Sequence, residues 1–173
     1  AAHPDIQIGI LTNFPNWTYD GIESYQCETK NHGDYRVALD AVFAAMAAAG
    51  ETVAYVVADN PYDYATGTKE SNCYDDPSTI DWLGRIVSLQ TQVQSNGALF
   101  GLIFNSSTGG RTSNQMFYED SVAYGSAYIA AGGRPDIGIM ESWYDYPDIG
   151  LPETEPYTHM NTARDVFAAL DAE

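Results

Sequence analysis

The sequence predicts an α/β protein of four βα units with parallel strands, and three observations predict it. Four apolar runs, at residues 6–11, 53–58, 99–104 and 137–140, recur at intervals of roughly 40 to 50 residues, enough for a strand, a loop and a crossover helix. The runs are near-continuous, the pattern of strands buried on both faces. Each stops at a cluster of polar and aromatic residues, and a segment of helical periodicity follows.

In the first unit, strand 6–11 ends in Thr12-Asn13-Phe14-Pro15-Asn16-Trp17. A polar loop leads to a helix over 34–49, with Asp34 as N-cap and Tyr35, Leu39, Val42, Phe43 and Met46 at helical spacing. Gly50 supplies the stop. The second unit has strand 53–58, ending in Asp59-Asn60-Pro61-Tyr62, and a helix over 77–95. Pro77 suits that helix's first turn, Ile80, Leu83, Val87 and Val93 form its stripe, and Asn96-Gly97 ends it.

The third unit has strand 99–104, then Asn105-Ser106-Ser107, the turn Thr108-Gly109-Gly110 and a helix over 113–131, closed by Gly132-Gly133 and Pro135. The short fourth strand, 137–140, ends in Glu141-Ser142-Trp143-Tyr144. A Pro-rich loop precedes a last helix over 159–170, with Ala163, Val166, Phe167 and Leu170 on one face.

Two arrangements hold four such units in a single domain spanning 1–173: half of a (β/α)₈ barrel, or a small open doubly wound sheet. An open sheet of this kind usually carries a Gly-rich phosphate loop after its first strand, and none is present. The loops after strands one, two and four are long and aromatic, and twice this length falls within the usual barrel range. These features favour the half-barrel. A half-barrel exposes sheet edges and apolar strand faces, so a second polypeptide or a second copy is expected to complete it.

Composition excludes several classes. With 7 Lys+Arg against 24 Asp+Glu the net charge is −17, which repels nucleic acid and anionic membranes. No run is long enough to span a bilayer. An opening Ala1-Ala2 without Met reads as a processed or trimmed start. Cys27 and Cys73 both follow strands, so both are expected at one end of the sheet and a disulfide between them is chemically sensible. With scarce Lys and plentiful Tyr and Asn, that bridge favours an extracellular or secreted protein. His3, His32 and His159 lack metal-ligand spacing, and P-loop and Gly-x-Ser-x-Gly motifs are absent, so neither a metal nor a cofactor is implied.

Parallel α/β folds react at the carboxyl ends of their strands, which locates the candidate site. Glu141 directly follows strand four, beside Trp143 and Tyr144, and desolvation there suits a general acid or a nucleophile. Asp59 holds the equivalent place after strand two and is the candidate second carboxylate of an acid/base pair. Asn13, Trp17, Tyr62, Asn105, Trp143 and Tyr144 are the candidate substrate-binding set: aromatic faces stack on sugar rings and Asn amides bond hydroxyls in both directions. Arg111 has two readings, a ligand for a substrate carboxylate or a clamp on a loop Asp.

The run from Gly132 through Ile137-Gly138-Ile139-Met140-Glu141-Ser142-Trp143-Tyr144, with Leu151-Pro152-Glu153-Thr154 after it, resembles the last strand region of TIM-barrel glycoside hydrolases and hydrolase-like proteins. Together with Asp59-Asn60-Pro61-Tyr62 it is similar to the carboxyl-terminal half of such a barrel. The resemblance implies glycoside hydrolysis by carboxylates at the strand ends. The alternative is a non-catalytic carbohydrate-binding or assembly subunit of a larger barrel protein.

Overall fold

A computed structural model describes residues 6–171; Ala1-Ala2 and His3 lie outside that range. The chain forms an α/β fold around a four-stranded, all-parallel open sheet. In order the elements are β1 (Ile8–Asn13), α1 (Tyr35–Ala48), β2 (Val53–Asp59), α2 (Tyr62–Ala65), α3 (Trp82–Ser95), β3 (Leu99–Phe104), α4 (Gly109–Thr112), α5 (Asn114–Ala130), β4 (Ile137–Met140) and α6 (His159–Asp171). Strand order is β1-β2-β3-β4 with no reversal. A small open sheet is thus observed, as in the second of the two expected arrangements, but it is not doubly wound: strand order never reverses and the core helices α1, α3, α5 and α6 share one face.

One set of strand positions faces the helices. Ile10, Val56, Ala58, Phe100, Leu102, Phe104 and Met140 share a core with Leu39 of α1, Ile86, Leu89 and Val93 of α3, Tyr124 and Tyr128 of α5, and Val166 of α6. Burying side chains of this size stabilises by about 1.5–3 kcal/mol each, and this layer supplies most of the hydrophobic driving force. The alternate positions point to the other side of the sheet. There Tyr55, Val57, Leu99, Ile103, Ile137 and Ile139 lie outside that core, and Leu11 and Leu99 are 61% and 50% exposed.

Local signals place most elements. Asp34 accepts from the backbone N–H groups of Arg36 and Val37 and starts α1 at Tyr35. The Ser113 hydroxyl accepts from Met116 N at the start of α5. Three boundaries differ from expectation. β1 starts at Ile8 rather than residue 6 and runs on to Asn13, because pairing with Val53 through Asp59 of β2 sets its limits; Ile6 is 66% exposed. Pro77–Thr79 is a separate 3₁₀ turn capped by Asp76, and α3 begins only after the Asp81 cap. Ile80 therefore stays outside the helix, and Ile86 and Leu89 take the buried stripe with Val93. Val42 is 40% exposed, off the buried face of α1 that Leu39 occupies.

Arg85 of α3 ties the loop after β1 to the helix layer. Although 3% exposed, it faces no carboxylate among the described ion pairs. Its guanidinium donates to the carbonyls of Phe14 and Trp17 and lies over the Phe14 ring, 4.3 Å from the centroid. Burial pushes its pKa down to about 10, so it stays charged at neutral pH.

Candidate functional site

A cavity of about 570 Å³ opens at the carboxyl ends of the strands. Leu11 and Asn13 of β1, Asp59 of β2, Pro61, Tyr64, Ser107, Trp143 and Tyr144 line it, so the loops after all four strands contribute. The register explains the convergence. Asn13 pairs with Asp59, Asp59 with Ile103, and Ile103 with Ile139, which puts Asn13 and Asp59 on the side away from the helices. Glu141 lies just past the end of β4, two residues beyond Ile139, and is not among the residues lining the cavity.

Asp59 is the most perturbed carboxyl of the site. It is 6% exposed, and its Oδ1 accepts from Asn105 Nδ2 at 3.1 Å. Burial raises its pKa to about 6, opposed by that hydrogen bond and helped by the charge of Glu141. The Glu141 charge is the smallest of these influences, and it brings the two carboxyls within electrostatic reach of one another. Glu141 itself is half-buried, with its backbone N–H directed to Phe104 O at 3.4 Å.

The aromatic residues divide into two groups. Trp143 is 57% exposed at the cavity rim, and Tyr144 lies beneath the Arg111 guanidinium, 4.1 Å from its ring centroid. Tyr144 also packs on Gly110, where a Cβ would stand 2.9 Å from Cδ2; any other residue there displaces the ring. Trp17 and Tyr62 instead pack against the core. Trp17 lies 5.0 Å from Tyr35 and 5.2 Å from His32, and Tyr62 lies 6.2 Å from Tyr124. Neither borders the cavity; Pro61 and Tyr64 take the place assigned to Tyr62. Asn105 is fully buried and acts on Asp59 rather than on the cavity.

A polar scaffold fixes the loops behind these groups. Asp63 of α2, 2% exposed, accepts from Ser107 N at 2.9 Å and from the Thr108 hydroxyl at 3.1 Å. Ser106 donates to Asp120 at 2.5 Å, and Arg111 Nη1 donates to Ser107 Oγ at 3.1 Å. Arg111 therefore braces a serine and a tyrosine ring, not a loop aspartate. Cys27 and Cys73 form the expected disulfide, with Cα atoms 5.7 Å apart, joining the loops after β1 and β2. It brings Gln26, Lys30 and Lys69 to the cavity, residues that no motif announced. Their signal was positional: each lies within four residues of a bridged cysteine.

Among the described residues no helix is long and apolar enough to cross a membrane, and no group of three His, Cys, Asp or Glu is arranged to hold a metal ion. Comparison with protein-family models, curated proteins and solved structures found no match to this chain.

Proposed function

We propose that this protein is a carbohydrate-active domain that hydrolyses glycosidic bonds at the cavity on the strand carboxyl ends. The observation that carries the reading is buried Asp59 at the cavity, its pKa raised to about 6 by burial and, to a smaller extent, by the charge of Glu141, with Trp143 exposed at the rim. A carboxyl with a pKa near 6 holds its proton long enough to act as general acid on a leaving sugar oxygen. Glu141 then serves as base or nucleophile on the other side of the scissile bond. Trp143 and Tyr144 offer ring faces to a sugar, and Asn13 offers an amide.

Strand order supports the further proposal that the sheet is half of a (β/α)₈ barrel. Consecutive strand order without reversal, with α1, α3, α5 and α6 packed into one core, is the arrangement a barrel has. The exposed Leu11 and Leu99 on the opposite face favour completion by a second polypeptide or a second copy. Native mass spectrometry of the chain isolated from its source tests this; a lone monomer would sink it. The disulfide fits an extracellular site of action.

Turnover decides between hydrolase and binding subunit. Glu141→Gln and Asp59→Asn are each expected to abolish release of reducing ends from a glycan panel while leaving the fold intact. Unchanged release in either variant removes that residue from catalysis. If the parent releases nothing yet binds glycans, and Trp143→Ala weakens that binding, the protein is a binding subunit instead.

A further inference from the structure

The chain carries two lysines, and both line the cavity, together with Arg111. Three of the chain's 7 cations thus meet at one mouth, while only one of its 24 acidic residues, Asp59, is among the described residues lining it. The rest of the molecule has the opposite balance. Local charge at the mouth is reversed relative to the surface as a whole.

These cations are not committed elsewhere. Among the described residues none of Lys30, Lys69 and Arg111 is in an ion pair. Arg111 spends one guanidinium nitrogen on the Ser107 hydroxyl and its face on Tyr144. The backbone around the lysines is nonetheless held in place. Lys30 N donates to Gln26 O at 2.7 Å, and Lys69 N donates to Asp63 O at 3.0 Å. Tyr25 donates its hydroxyl to the Lys69 carbonyl, and the Cys27–Cys73 bridge clamps the two loops together. The lysines therefore converge on one cavity from two separate loops.

We propose that the cavity takes an acidic carbohydrate, a glycan bearing carboxylate or sulfate groups, with Lys30, Lys69 and Arg111 as its anion-binding residues. This rests on the carbohydrate reading given above and narrows its substrate class. An Arg seated on an aromatic ring presents its remaining N–H groups as a fork suited to carboxylate or sulfate, and Trp143 at the rim supplies the ring face for the sugar itself. The net charge of −17 does not oppose this at physiological salt. The Debye length there is about 8 Å, so distant acids are screened whereas direct contacts in the cavity are not.

The test is binding by isothermal titration to a panel of uronate-bearing and sulfated oligosaccharides, each beside its methyl-esterified or desulfated form. At least one acidic glycan is expected to bind, with at least tenfold loss on neutralising the sugar. Lys30→Gln, Lys69→Gln and Arg111→Gln are each expected to weaken that binding about tenfold, with thermal unfolding confirming the fold. Equal binding of charged and neutralised forms, or binding of neutral glycans alone, overturns the anionic assignment and leaves the carbohydrate reading standing. No binding to any charged or neutral glycan overturns both. If carboxylated and sulfated members differ, the difference identifies which group the cations read.

Discussion

Asp59 concentrates the tension between stability and chemistry in a single side chain. Its carboxyl is buried, and burial together with Glu141 moves its pKa from an ordinary carboxylate value up to about 6. A pKa higher in the folded than in the unfolded state means that folding favours the protonated form. The sign follows: stability is fullest below pH 4 and is lost as pH rises through 6. The difference between an ordinary carboxylate value and about 6 corresponds to roughly 3 kcal/mol. Asp59→Asn is therefore expected to stabilise the protein at pH 7 by up to about 3 kcal/mol and to change little at pH 3.5, because the amide still accepts from Asn105. Urea unfolding at both pH values measures this; equal effects at the two would show that ionisation is not the cause. On the proposed hydrolytic function the same carboxyl is the general acid, so glycan turnover is expected to fall as pH rises above about 6.

At the scale of elements, the helices were readable where a cap announced them, and the strands were readable as runs but not as ladders. Asp34 and Ser113 each mark a helix start by a side chain that bonds the first turn. The limits of β1 depend on which residues find partners on β2, and that information lies some 45 residues away. Aromatic residues were harder still. Trp17 and Trp143 both follow strands, and nothing local separates the one that packs on Tyr35 from the one left at the rim. Buried Arg85 explains part of that division, since it grips the Phe14 and Trp17 carbonyls and seats the first loop on α3. Arg85→Met keeps much of the volume and abandons both carbonyls. The expected cost is about 2–4 kcal/mol, with the loss felt first in the loop. Hydrogen exchange locates it: faster exchange at residues 14–19 with β3 still protected is the expected pattern, and uniform acceleration would show that Arg85 supports the whole core instead.

For the whole molecule, the disulfide joins what the sheet alone leaves apart. The strands fix Asn13 and Asp59 by register, and Glu141 follows β4 directly with its N–H directed to Phe104 O, so the carboxyls hold their places without the bridge. The long loops after β1 and β2 have no such ladder, and Lys30 and Lys69 ride on them. Closing a loop across a separation of 46 residues removes unfolded-state entropy worth about 4 kcal/mol in the chain-entropy model. Reduction, or the double change Cys27→Ser with Cys73→Ser, is expected to lower stability by that order. It is also expected to separate the two halves of the site. Anion binding through the lysines should fall by tenfold or more, while the raised pKa of Asp59, read from its carboxyl chemical shift, should persist because its causes lie in the sheet. If reduction returns Asp59 to an ordinary carboxylate value, then the loops rather than the strands exclude water from Asp59, and the division of labour argued for this fold is wrong.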